Sequence, residues 1–493
     1  MAFSRQNPWD SVFIFRQTEN GYRIIPPKNY ILRSVTMNPI TITALILFAV
    51  TYVLMMAFQK IRPYVAIGSA LIFISLGIIA SVSPDLFGSG FFNVGNTTYS
   101  YGFLQALKEI DWNVIMMIAG TMGTVYLFIE SKMPQLMSDV LISKMPNVKW
   151  TIFALSLFAG IVSAFVDNVA TVLMIAPVAL ALCKKLNISP VPSIVCIAVS
   201  SNLQGAATLV GDTTSILLAK AANLDFSDFF VDEGKPGMFW VVEAGALASA
   251  LIILVMFRKD KDKIEFNSRT KVEDKFPTYL LLGTIICLIA VSFIPYKSAA
   301  AEGQFYKPDI TNGVICVAFF VIGLIREIVF KKNTKILKDS LMEIDYYTIS
   351  LLIGLFVVIG GIKNAGVIDV IGNAIAKVGA GSQFLIFTVI VWISVLLSAF
   401  IDNIPYTATM LTIVPVIAAN VGMEPKLLYY GLLCGATLGG NLTPIGASAN
   451  ITGIGILKKE GYEVKATTFM KYGIPFTLAA VITGYLLLWF IWS

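Results

Sequence analysis

Long apolar segments recur from residue 40 to the end of the chain, each about as long as a helix that crosses the hydrocarbon core of a bilayer. The uninterrupted ones are 40–58, 64–82, 112–129, 238–257, 279–293, 311–330, 346–362 and 474–492. A water-soluble core cannot hide that much apolar surface. Hydrophobic residues make up 57% of the chain and charged ones 13%, against about 25% charged in a soluble domain. In lipid the backbone must satisfy its own hydrogen bonds, so spans of this kind form helices. The expected fold is therefore an all-α, multi-pass membrane protein of the cell inner or plasma membrane.

Four further apolar stretches are interrupted. Asp-Asn breaks 151–182 and 384–420; Gly, Thr and Asn or Asp break 190–219 and 427–457. The interruptions repeat. Ser163-Ala164-Phe165-Val166-Asp167-Asn168 returns 235 positions later as Ser398-Ala399-Phe400-Ile401-Asp402-Asn403. Thr208-Leu209-Val210-Gly211 returns at the same offset as Thr443-Pro444-Ile445-Gly446, and Ile110-Asp111 returns 234 positions on as Ile344-Asp345. Three motifs in one order at nearly one spacing indicate an internal duplication. The expected organisation is a polar segment at 1–39, one repeat at 40–257, a basic linker at 258–277 and a second repeat at 278–493.

Charge sets the orientation. The loops around 258–275, 331–338 and 458–471 are basic, and so is Lys184-Lys185, whereas 225–233 is acidic. If each Asp-Asn segment is a re-entrant hairpin and each Gly-broken segment one crossing, all the basic loops fall on one side, the cytoplasmic one. Each repeat then has five crossings, and the odd count inverts the second copy. The N-terminal stretch, with Arg5, Arg16, Arg23, Lys28 and Arg33, falls outside by this count, against the rule. No cleaved leader pattern is expected.

A carboxylate inside a span is costly, about 2.5–3.5 kcal/mol or more, and so faces protein or water. Asp167-Asn168 and Asp402-Asn403 therefore suit hairpin tips that meet near the midplane and bind a ligand, although either pair could also cap the helix that follows. Gly205, Gly211, Gly439, Gly440 and Gly446 free the backbone to unwind. Asn202, Thr208, Asp212, Thr213 and Ser215, with Asn441, Thr443, Ser448 and Asn450, then supply oxygen ligands. Gly120, Gly123, Gly360 and Gly361 fit helix packing better. The proposed site holds Asp167, Asp212 and Asp402 and no Lys or Arg, so it suits H⁺, Na⁺ at Asp167 and Asp402, or a neutral solute. An anion would need co-bound cations or protonated carboxylates.

Histidine is absent, so proton coupling would run through carboxylates. Cys183, Cys196, Cys287, Cys316 and Cys434 lie in or beside apolar segments without a C-x-x-C pair and are expected to be free thiols. The basic residues form no nucleic-acid face. No phosphate-binding G-x-x-x-x-G-K-[ST] motif occurs, which argues against primary transport by this chain.

At Gly435–Asn450, and at the two Ser-Ala-Phe-x-Asp-Asn motifs, the sequence resembles the ion-transporter superfamily of ArsB-type arsenite permeases, NhaD-type sodium/proton antiporters and P-protein-like permeases, with a citrate-transporter-like domain. Asp-Asn stands where the related sodium/dicarboxylate symporters have Ser-Asn. The resemblance implies an inverted-repeat, elevator-type fold in a homodimer, with Asp167, Asn168, Asp402 and Asn403 as tip ligands and Thr208, Gly211, Thr443 and Gly446 in the helix breaks. It implies secondary-active transport of a small inorganic solute of arsenite or oxyanion type, driven by H⁺ or Na⁺ without another cofactor. The alternative is Na⁺/H⁺ exchange through the same aspartates. An intramembrane aspartyl protease would need Gly-x-Gly-Asp, and position 209 is Leu before Gly211-Asp212.

Overall fold

The computed structural model describes residues 37–493 except 96, 261, 263–268, 273, 297–303 and 380, and the backbone of two strands at 14–18 and 21–25. The basic side chains of the N-terminal segment lie outside the described residues.

Among the described residues twenty α-helices follow one another, with three short two-stranded hairpins and four short 3-10 or π segments besides. The first half comprises α1 (Pro39–Ala57), α2 (Arg62–Val82), α3 (Phe103–Glu109), α4 (Trp112–Glu130), α5 (Met133–Ser143), α6 (Val148–Ser163), α7 (Asn168–Lys185), α8 (Val191–Gly205), α9 (Thr213–Ala222) and α10 (Met238–Met256). The second half repeats that order with α11 (Phe276–Ser292), α12 (Thr311–Ile325), α13 (Lys335–Met342), α14 (Tyr346–Asn364), α15 (Val367–Val378), α16 (Gln383–Ser398), α17 (Asn403–Val421), α18 (Lys426–Gly439), α19 (Ser448–Lys459) and α20 (Ala466–Trp492). Nine of the described helices are long and apolar enough to span a bilayer. The chain is a multi-pass integral membrane protein.

Every uninterrupted apolar segment is a helix. The short helices α3, α5, α13 and α15 were not anticipated, because each is too brief to raise a spanning signal. Helix α20 starts at Ala466, so part of the basic stretch 458–471 is helix rather than loop. All five cysteines are free thiols.

Two groups of helices emerge from the packing. In one, which we call the frame, α12 of the second half lies along α4 of the first, and α2 along α14. Close approach there depends on small residues, since lipid offers no hydrophobic drive between helices. A Cβ on Gly120 would stand 2.4 Å from the Cys316 carbonyl carbon, and one on Gly361 2.7 Å from the Phe73 ring. In the other group, the bundle, α6 packs on α8, α16 on α18, α19 on α7 and α8, and α10 on α20.

The linker is tied to each of the two halves. Thr270 donates its backbone N–H, at 2.7 Å, and its hydroxyl, at 2.6 Å, to the buried Asp139 of α5. Asp274 accepts both guanidinium nitrogens of Arg326 at 2.6 and 3.1 Å, and also Lys331. Partial burial alone would raise the Asp274 pKa, but the hydrogen bonds from Arg326 and Lys331 outweigh it and lower it to about 2. A depressed carboxyl stabilises the fold above its unfolded value, about 3.9, and that contribution is lost as pH falls toward 2. Asp274→Asn should therefore lower the melting temperature at pH 6, and the gap to the parent should narrow as pH falls from about 4 toward 2. A gap independent of pH would contradict this account.

Candidate functional site

Both Asp-Asn pairs lie at the turns between paired helices. Asp167 ends the turn from α6 and caps α7, its Oδ1 accepting the N–H groups of Val169 at 3.0 Å and Ala170 at 3.1 Å. Asp402 ends the turn from α16 and caps α17, its Oδ1 accepting the Ile404 N–H at 3.1 Å. Capping uses one oxygen of each carboxylate, Oδ1 in both copies.

Each turn rests on the helix break of its own half. The Thr208 hydroxyl donates to the Ala164 carbonyl and the Thr443 hydroxyl to that of Ala399, the same contact in both copies. Thr208 Oγ1 also accepts the Val210 N–H, and Thr443 Oγ1 the Ile445 N–H, each at 3.4 Å. Gly211 and Gly446 sit against those turns with no room for a side chain. A Cβ on Gly211 would meet the carbonyl oxygens of Gly205, Ala164 and Ser163 at 2.5, 2.7 and 2.7 Å. On Gly446 it would meet those of Gly440, Ser398 and Ala399 at 2.4, 2.8 and 3.0 Å.

The two halves meet through side-chain amides. Asn168 Nδ2 donates to Asn202 Oδ1 at 3.1 Å. Asn202 Nδ2 donates to the Thr437 carbonyl at 2.8 Å and to Asn441 Oδ1 at 3.2 Å, and Asn441 Nδ2 donates to the Val199 carbonyl at 2.9 Å. Thr437 is the repeat equivalent of Asn202, 235 positions on, so this contact marks the pseudo-two-fold axis. The Thr214 hydroxyl donates to Asp212 Oδ2 at 2.8 Å and shares a 2.9 Å hydrogen bond with Thr437 Oγ1. Asn450 Nδ2 donates to the carbonyls of Gly440 and Thr443, both at 3.3 Å. Ser215 Oγ and Asn450 Oδ1, equivalent positions in the two halves, are buried without a hydrogen-bond partner.

A cavity opens where these parts converge. It is lined by Asp167, Asn168, Asp212 and Thr213 from the first half, by Asn403 and Ser448 from the second, and by Asp345 and Thr348 at the start of α14. Helix breaks and hairpin turns at membrane depth are tolerated only where they line such a cavity or lie within protein. The carboxylates surround this space without converging: among the described residues no three Asp, Glu, Cys or His side chains are arranged to hold a metal ion.

A sequence profile of the citrate transporter family matches residues 46–435. The chain belongs to the citrate transporter family. It is 28% identical over 454 residues to an uncharacterized transporter of Mycobacterium tuberculosis, covering 91% of this chain and 98% of that one. It is 26% identical to the human P protein over 77% of this chain and 53% of the other. Two solved structures share the fold. The YdaH transporter of Alcanivorax borkumensis gives a TM-score of 0.58 at 12% identity, over 86% of this chain and 97% of that one. MtrF of Neisseria gonorrhoeae gives 0.51 at 15% identity, over 86% and 94%. The superfamily resemblance seen in the sequence is thereby met, and these relatives are transporters rather than enzymes.

In this family member the predicted residues divide in two. Asp167, Asn168, Asp212, Thr213, Asn403 and Ser448 line the cavity. Asn202, Thr208, Asn441, Thr443 and Asn450 form the hydrogen-bonded support behind it, with Gly211 and Gly446 packed between turn and break. Asp402 departs from expectation. Its Oδ2 lies 2.8 Å from Arg62 Nη1, both residues being buried, so a basic residue does sit at the hairpin tip. The ion pair takes up Asp402 Oδ2, the oxygen that capping leaves over. Sequence reasoning missed Arg62, which stands at the start of α2, and it missed the role of Asp345, although the repeated Ile-Asp had marked that position.

Proposed function

We propose that this citrate transporter family member is a secondary-active carrier of a small inorganic solute, of arsenite or oxyanion type, coupled to H⁺ or Na⁺. It works by elevator-type alternating access as a homodimer. The observation that carries this reading is the cavity between the two hairpin tips, lined by Asp167, Asp212 and Asp345 and by no basic side chain among the described residues. Three carboxylates around one cavity favour a bound cation, whose charge offsets theirs. A neutral solute enters such a site unaided. An oxyanion, or the citrate that the family is named for, enters with cations or with the carboxylates protonated. The same acidic lining favours Na⁺/H⁺ exchange as the second reading.

Purified protein in liposomes holding a pH dye separates the two. Arsenite, sulfate, citrate and Na⁺ are added one at a time. Proton flux evoked by a solute and not by Na⁺ alone supports the first reading; flux with Na⁺ alone supports exchange. In either case Asp167→Asn should lower coupled flux at least about tenfold, a change of roughly 1.4 kcal/mol in the barrier. Full flux in that variant would remove the carboxylate from the mechanism.

A further inference from the structure

Asp111 and Asp345 are equivalent residues of the frame, 234 positions apart, and each caps its helix in the same way. Asp111 Oδ1 accepts the Val114 N–H at 3.1 Å, and Asp345 Oδ1 the Thr348 N–H at 3.0 Å. Their surroundings differ. Asp345 lines the cavity beside Asp167 and Asp212. Asp111 instead pairs with Lys220 of α9 at 3.2 Å.

The difference is one of register. Within the bundle, Thr213 and Ser448 are equivalent positions, both line the cavity, and they open α9 and α19. Lys220 lies seven residues beyond Thr213. At 1.5 Å per residue that is about 10 Å along α9. One frame carboxylate therefore lines the cavity, while its equivalent pairs with a lysine whose backbone lies about 10 Å along the bundle from it. Two inverted copies in identical surroundings would show no such offset, so the bundle is displaced toward Asp345.

We propose, on the reading of this chain as an elevator-type carrier, that Asp345 and Asp111 are one functional position used twice. Asp345 closes the acidic cavity in the conformation described here, and Asp111 closes it after the bundle has slid about 10 Å along the frame. In that second conformation Lys220 leaves Asp111, and Asp345 comes to face Gly455, the repeat equivalent of Lys220. A side chain fits at Gly455, where an added Cβ meets nothing within 4 Å. The cargo's cation thus meets a frame carboxylate at both ends of the stroke, and the Lys220–Asp111 pair exists at one end only.

Paired cysteines test the register in liposome-reconstituted full-length protein. Asp111→Cys with Lys220→Cys should cross-link in the conformation described here, and Asp345→Cys with Gly455→Cys in the other. Both linked peptides should be recovered by mass spectrometry from the respective oxidised samples, and each link should arrest flux until it is reduced. The single cysteines serve as controls. Absence of the 345–455 link in protein whose 111–220 link forms would overturn the proposal, as would absence of both in protein that transports. If both links form and no solute or Na⁺ evokes flux in the parent protein, the register stands and the transport reading fails instead.

Discussion

Arg62→Gln should cost about 3–5 kcal/mol of folding stability, because it strands the Asp402 carboxylate in a buried site without its cation. The pair is well made. Arg62 Nη1 lies 2.8 Å from Asp402 Oδ2, and Arg62 Nε also donates to the Met55 carbonyl at 3.1 Å, holding the bend between α1 and α2. Arg62 is 4% exposed and Asp402 6%. A loss of that size is a large share of the roughly 5–15 kcal/mol that holds a typical protein folded. Most of the variant should therefore fail to reach the membrane in folded form, and what can be purified should melt far below the parent. The double variant Arg62→Gln, Asp402→Asn should recover most of the loss, since two neutral groups can replace the pair without burying a net charge. Thermal unfolding of the four proteins in detergent closes the double-mutant cycle. A double variant no more stable than Arg62→Gln alone would show that Arg62 acts through packing and not through Asp402.

The same pair decides how much of the site could be read in advance. The hairpin tips were legible because a carboxylate inside an apolar run is expensive, and two at one repeat offset leave little room for chance. The helix breaks were legible because Gly, Thr and Asn are poor material for the middle of a span. Arg62 carried no comparable signal. A basic residue at the head of an apolar segment ordinarily marks the membrane surface, and its partner lies 340 positions away. Nothing local distinguishes a buried arginine from one that snorkels.

Asp345 shows a different limit. Its repetition with Asp111 was visible, and so was its fitness as a helix cap. The two copies nevertheless have different surroundings, Asp345 lining the cavity and Asp111 pairing with Lys220. The fold followed from the duplicated pattern of apolar runs and motifs. The different surroundings of Asp111 and Asp345 depend on contacts between distant elements, which no single motif encodes.

Gly211→Ala and Gly446→Ala should each destabilise the protein by about 3 kcal/mol, the upper end of what overpacking a core ordinarily costs. Each added methyl would lie within 3.0 Å of three backbone carbonyl oxygens, and none of these can rotate away as a side chain could. Relief requires the hairpin turn to withdraw from the helix break. Withdrawal at Gly211 pulls Ala164 from the Thr208 hydroxyl, and at Gly446 it pulls Ala399 from Thr443, so each substitution also breaks the hydrogen bond that seats its tip. The cavity lies between the two tips, and coupled flux should fall in both variants by a similar factor. Gly455→Ala provides the contrast. Its methyl enters open space on α19, and exchanging Gly for Ala inside a helix is worth up to about 1 kcal/mol of stabilisation. Melting temperatures and flux measured together separate the cases: Gly455→Ala should match or exceed the parent in stability while the other two fall. Should Gly211→Ala and Gly446→Ala melt like Gly455→Ala, the tight seating of each turn on its break would be wrong, and with it the reason both halves keep glycine at that place.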